Sequence, residues 1–252
     1  MQIIDLSAPL EPHPDEREFV RIEIEYADHA AGAAGIEQMF GVPPSLLRHS
    51  EGWAVDTIKH LSTHGTTHVD APWHYNSTIA GQRAMTIDQL PLEWFYGPGV
   101  VLDFSSREDG NTIGPSDLDT ALAVAGHQLA AGHIALIRTG RDAFYASADY
   151  PSRGPGVSAE GTRWLYDRGV RVMGVDAWGW DRPLHLQAEE ARAVGRPGIF
   201  WAAHQADLQY CQIERLANLG ALPSTGFTVA CFPLKLIGGS AAPARVVAIL
   251  AG

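Results

Sequence analysis

The sequence predicts a single α/β domain, residues 1–252, built around a mixed β-sheet core. Three observations carry this. Apolar runs of strand length recur along the chain. Two capped helical stretches lie between them. No composition break, repeat or low-complexity linker divides the 252 residues, a length that fits one large domain.

The elements follow in chain order. "MQIIDLSAPLEPHPDE" at 1–16 reads as a strand followed by a loop; it lacks the basic and apolar regions of a signal peptide. "VRIEIEY" (20–26) alternates apolar and charged residues, as a half-exposed strand does. Residues 27–53 and 72–98 read as long loops. "GVVLDFS" (99–105), "HIALIRTG" (133–140) and "VRVMGVD" (170–176) are continuous apolar runs, the pattern of strands buried on both faces. Ser116 is placed to cap "DLDTALAVAGHQLAAG", ending near Gly132, and Ser158 to cap "AEGTRWLYDRG", ending at Gly169. The order strand, helix, strand from 133 to 176 resembles a βαβ unit. "GFTVACF" (226–232) and "ARVVAIL" (244–250) add two late strands.

Composition narrows the function. Apolar residues make up 46% and charged residues 19%, an ordinary globular balance. No apolar run reaches the roughly 18 residues that span a bilayer, so a membrane protein is not expected. The formal net charge is -11 and no Lys/Arg cluster is present, which argues against a nucleic-acid partner. The two cysteines, Cys211 and Cys231, have no CxxC spacing and read as reduced core thiols. A cytoplasmic enzyme or binding protein is the expectation. Neither GxSxG, Walker A nor GxGxxG occurs, so a serine-hydrolase elbow or nucleotide loop has no support; "IGGS" at 237–240 reads as a turn.

The stretch that carries chemistry is "HGTTHVDAPWH", residues 64–74. Gly65, two threonines, Val69 and Pro72 oppose a helix, so His64 and His68 are not an i, i+4 helical pair. On an extended backbone His68 and Asp70, two apart, point the same way. Imidazole with carboxylate suits Zn²⁺ or Mn²⁺. With no cysteine nearby, two histidines and one aspartate leave coordination positions open, the arrangement of a catalytic rather than a structural site. Such an ion lowers the pKa of a bound water toward about 7. His74, four residues after Asp70, is placed to act as a base beside it. Any one of these histidines alone is more readily a surface or satisfied core residue. Three of the chain's 11 histidines within this window point to a site.

"HGTTHVDAPWH" closely resembles the H-x-G-T-H-x-D-A-P-x-H motif of the metal-dependent cyclase family, which includes kynurenine formamidase and isatin hydrolase. Gly65 follows His64 directly, where the family form has it one position later; the His–His–Asp–His spacing is kept. The resemblance extends through "IIDLS" (3–7), "IRTG" (137–140), "GVDAWGWD" (174–181) and "GFTVACFPLKLIGGSAAPARVVAIL" (226–250). It implies a swivelling β/β/α fold, with His64, His68 and Asp70 as primary metal ligands, Asp70 bridging to any second ion, and His74 transferring protons. "HQADLQYCQIERLANL" (204–219) is similar to the family's later His…Glu element, which makes His204 and Glu214 second-site ligands, with a shorter gap between them than the family form. One or two ions, Zn²⁺ or Mn²⁺, and a homodimer or homotetramer are implied.

The activity implied is metal-dependent hydrolysis of a C–N bond in an aryl-formamide or cyclic amide, with His74 as general base and acid. Two other readings stand beside it: a cyclase or dehydratase that stabilises an enolate without consuming water, and a non-catalytic metal-binding protein. Trp73, Trp178, Trp180 and Trp201 offer either an aromatic wall for a flat small-molecule substrate or ordinary packing. Asp176 and Asp181 either orient ligand histidines or form strand-end turns. Arg138 either fixes a substrate carboxylate or pairs with an internal acid.

Overall fold

The computed structural model describes residues 1–12 and 18–250; the loop expected over 13–16 lies outside them. The backbone groups into two compact units, Leu10–Gly65 and the pair of segments Met1–Pro9 and Thr66–Gly252.

The smaller unit pairs Ile22–Glu25 with Thr57–Leu61, antiparallel, and carries helix α1, His29–Phe40. The sequence reading had a loop here. Asp28 caps the helix by accepting the Ala31 N–H at 2.9 Å, and Gly41 ends it at φ 68°. The alanine- and glycine-rich middle hid the periodicity that those two caps would have framed. Gly32 is required by contact, since a Cβ there would meet the Trp53 carbonyl oxygen at 1.7 Å.

The larger unit holds a nine-stranded mixed sheet. Its strands are β1 Gln2–Asp5, β2 His68–Asp70, β3 Tyr96–Asp103, β4 Ile134–Arg138, β5 Val172–Val175, β6 Cys211–Glu214, β7 Phe227–Ala230, β8 Ala241–Pro243 and β9 Val247–Leu250. The spatial order is β1-β9-β7-β3-β4-β5-β6-β2-β8. β3, β4, β5 and β6 run parallel as a central block, and antiparallel strands extend it on both sides. This is the mixed α/β sheet expected. Helices α3, Pro115–Val124, α4, Ala159–Asp167, and α5, Leu184–Val194, supply the crossovers between the parallel strands.

Side-chain alternation divides the core. Val101, Ile134, Leu136, Val172, Val69 and Ile213 enter one cluster, while Val100, Leu102, Ala135, Ile137, Met173 and Val175 enter the other with Leu118 of α3 and Leu165 of α4. Burial on both faces explains why these strands read as unbroken apolar runs. Cys211 and Cys231 are buried free thiols, as expected.

The helices depart from the sequence reading in three ways. α3 starts one residue before Ser116, because Pro115 favours the first helical position and Asp117 reaches back to accept the Gly114 N–H at 2.9 Å. It ends at Val124, well before Gly132, where Gly126 turns to φ 62°. α5 was not foreseen. Ser158 does cap α4, accepting the Gly161 N–H at 3.0 Å. Among the described residues no helix is long and apolar enough to cross a membrane.

Candidate metal centre

The site of the larger unit is made by strand register. β6 pairs antiparallel with β2 so that Glu214 faces His68 and Gln212 faces Asp70. With the two-residue period of a strand, all four side chains project from one face, while Val69 and Ile213 enter the core on the other. Residues some 140 positions apart in sequence are thereby brought side by side. The extended backbone expected over His68–Asp70 is observed.

The side chains converge. A ring nitrogen of His68 and carboxylate oxygens of Asp70 and Glu214 all lie within 4.8 Å of one another, and all three residues are buried. His68 Nε2 is 3.3 Å from Asp70 Oδ1 and 3.7 Å from Glu214 Oε2. Its Nδ1 lies 2.7 Å from the Thr66 carbonyl oxygen, so Nδ1–H donates there and Nε2 is left toward the carboxylates. The other Glu214 oxygen, Oε1, accepts the Trp180 N–H at 2.9 Å and stands 3.5 Å from His204 Nε2.

Ala71 and Pro72 break the strand and start the four-residue helix α2, Pro72–Tyr75, which turns His74 back toward Asp70. A His74 ring nitrogen lies within 4.8 Å of an Asp70 carboxylate oxygen. The His74 ring meets Trp201 edge-on at 5.1 Å and lies 6.0 Å from the His204 ring. Trp201 stacks on His204 at 4.5 Å. The structure therefore gathers His68, Asp70, His74, His204 and Glu214. His64 belongs to the smaller unit, in the turn after Thr57–Leu61, with Nδ1 3.0 Å from Thr63 Oγ1.

Acidic charge dominates this cluster. Burial opposes a proton on His68, but Asp70 and then Glu214 outweigh it and raise its pKa. Burial likewise opposes charge on His204; its hydrogen bonds to Asp181 and Glu214 prevail and raise the pKa to about 10. Buried carboxylates thus demand a positive partner. A nitrogen and two carboxylate oxygens converging on one point form a donor set that fits a divalent cation of the zinc or manganese type.

Most of the open alternatives resolve. Asp181 orients a histidine: Oδ2 lies 2.5 Å from His204 Nδ1. Asp176 orients no histidine but ties down the end of the neighbouring strand β4, accepting Thr139 N–H, Thr139 Oγ1–H and Gly140 N–H at 2.5, 2.7 and 2.9 Å; burial lifts its pKa to about 6 despite these bonds. Arg138 pairs with an acid, Asp103, at 2.7 Å, its cross-strand neighbour in the β3–β4 register. Trp180 is core, its indole N–H donating to Thr162 Oγ1 at 2.9 Å, whereas Trp201 lines the site. Asp181 and the Trp180 N–H are the residues left unassigned by sequence reasoning. Their signal was the "DAWGWD" strand end, two residues of which do different work.

Residues 4–182 match the family model described as "Putative cyclase". Kynurenine formamidase of Maricaulis maris (strain MCS10) is 30% identical over 187 residues, 74% of this chain and 77% of that protein. Isatin hydrolase of Roseibium aggregatum is 26% identical over 200 residues, 75% of this chain and 73% of that protein. The solved structure of isatin hydrolase A from Labrenzia aggregata, bound to benzyl benzoate, superposes with a TM-score of 0.72 at 25% identity, covering 100% of this chain and 94% of that one.

Proposed function

The chain belongs to the cyclase family, and from that premise we propose that it is a metal-dependent hydrolase of an amide C–N bond, in an aryl-formamide or a cyclic amide. The observation that carries the reading is the buried convergence of His68, Asp70 and Glu214, with the His74 ring beside Asp70.

His68 and Asp70 would hold the cation, Zn²⁺ or Mn²⁺, with His64 as the further ligand that the sequence motif implies. Glu214 and His204, 3.5 Å apart, would supply the ligands of a second ion. When bound, the metal supplies Lewis acidity toward a carbonyl oxygen and acidifies water. The protein's own residues supply the rest. Thr66 fixes the His68 ring through Nδ1, so that Nε2 stays directed at the centre. A His74 ring nitrogen takes a proton from the water that attacks the carbonyl carbon. The same nitrogen returns it to the amide nitrogen as the C–N bond breaks, so one water is consumed; an aryl-formamide gives formate and an amine, and a cyclic amide opens to one product that carries both the carboxylate and the amine. Trp201, edge-on to His74 and stacked on His204, gives a flat substrate an aromatic surface next to the proton-transfer group.

The test is a hydrolysis screen of N-formylkynurenine, isatin, simple formanilides and cyclic imides with metal-free, Zn²⁺-loaded and Mn²⁺-loaded protein. Turnover of at least one amide class only with metal is expected. Metal uptake without turnover of any of these substrates would overturn the reading.

A further inference from the structure

We propose that Asp181 is a positioning residue, which fixes His204 with Nδ1 protonated and Nε2 turned to Glu214, so that the His204–Glu214 donor pair stands preformed. The inference rests on the metal-centre reading above and adds to it a residue that touches neither the cation nor the substrate.

Asp181 grips the His204 turn with both oxygens. Oδ1 accepts the Ala203 N–H at 3.0 Å; Oδ2 accepts the His204 backbone N–H at 3.1 Å and faces ring Nδ1 at 2.5 Å. An ionised carboxylate only accepts, so Nδ1 carries the proton toward Asp181 and Nε2 is the atom presented to Glu214, 3.5 Å away. A ring anchored at one nitrogen and at its own backbone has little rotational freedom left.

The anchor is itself rigid. Trp180, the preceding residue, is fully buried and gives its N–H to Glu214 Oε1. Two consecutive residues therefore hold the two members of one donor pair: Trp180 grips the glutamate and Asp181 grips the histidine. The backbone of Asp181 and Arg182 lies against Gly156 so closely that a Cβ on Gly156 would come within 1.9 Å of the Arg182 nitrogen. The far side of the histidine loop is tied as well. Trp201 sits at φ 63°, a left-handed conformation costly for a non-glycine residue, and its N–H donates to the buried Gln187 Oε1 at 2.7 Å. Its indole then covers the His204 ring.

A mere loop tie and a positioning role predict different couplings. The experiment titrates Zn²⁺, and separately Mn²⁺, into metal-free wild type, Asp181→Asn, His204→Ala and the double variant, reading affinity and ions per chain. Asp181→Asn is isosteric; Asp181→Glu serves if it does not fold, as judged by thermal melting. Asp181→Asn alone is expected to weaken the affected ion by about 10–100-fold, the usual effect of losing a histidine's outer partner. In the His204→Ala background the same change is expected to add nothing, because its route to the metal is gone. Wild-type affinity in Asp181→Asn, or a loss that adds in full to that of His204→Ala, would overturn the proposal. Because the readout is metal affinity, it stands apart from the amide screen: failure of hydrolysis leaves this coupling measurable, and failure of the coupling leaves the hydrolase reading intact.

Discussion

Replacing Glu214 by glutamine removes one charge from the centre and almost no volume. The structure sets the size of the effect. The two carboxylate oxygens stand 3.5 and 3.7 Å from the ring nitrogens of His204 and His68 that face the centre. A unit charge pair at about 4 Å is worth about 4 kcal/mol at an effective dielectric of about 20. Part of that remains, because the amide oxygen of glutamine still directs a dipole inward. A net loss of about 3–4 kcal/mol corresponds to roughly 10²–10³-fold weaker metal binding. Glutamine is preferable to alanine, because its oxygen still accepts the buried Trp180 N–H at 2.9 Å. Leaving that donor without an acceptor would cost about 1–3 kcal/mol and confuse folding with binding. The assay is equilibrium dialysis against Zn²⁺ followed by elemental analysis, with amide turnover measured on the same samples. Wild-type metal content at limiting Zn²⁺ together with wild-type turnover would show that Glu214 only supports the Trp180 turn and is no part of the centre.

His74→Ala is expected to keep its metal and lose about 10²–10⁴-fold in kcat, the usual worth of a positioned acid–base group; an unchanged kcat at saturating substrate refutes its role. Trp201→Ala is expected to raise KM for aryl amides by about tenfold relative to aliphatic ones, since an aromatic contact is worth about 1 kcal/mol or somewhat more; equal changes for both classes would remove Trp201 from the substrate surface. In the metal-free protein the His204 pKa is raised to about 10 against an ordinary 6.5, so its contribution to stability is complete below about 6.5 and is lost as pH rises through about 10. Urea midpoints of metal-free protein across that range should fall with pH, and the fall should shrink in His204→Gln; identical slopes in both proteins would contradict the assignment.

Much of this was legible in the sequence, for reasons that can be named. The strands of the central parallel block announced themselves because burial on both faces leaves no polar alternation. His68 and Asp70 were legible because a period of two fixes which residues of an extended segment share a face, and Pro72 fixes where that segment stops. What was hidden depends on pairing partners. Nothing in "QIERLANL" says that Glu214 lies on a strand; its environment is set by the β2–β6 register, a contact between distant segments. Without the family resemblance it reads as a solvated helix residue. α1 was missed because its Ala/Gly interior has no apolar stripe, although Asp28 and Gly41 stood at its ends. Asp176 and Asp181 were indistinguishable because both follow the same strand, and only the three-dimensional path decides which of them meets a histidine.

The register also explains why metal and fold belong together here. A one-residue slip of β6 along β2 would send Glu214 into the apolar cluster and Ile213 into the centre. The core side chains Val69 and Ile213 therefore select the same alignment that brings Glu214 to His68. That alignment has an electrostatic cost, since Asp70 and Glu214 are buried within a few ångströms of each other. The metal-free chain answers it in part by favouring a proton on the histidines: the pKa of His68 is raised, and that of His204 is raised to about 10. A divalent cation answers it better, because it can bind both carboxylates while the imidazoles become neutral donors. Binding must then release protons, and affinity must rise with pH over the range in which the metal-free histidines hold theirs.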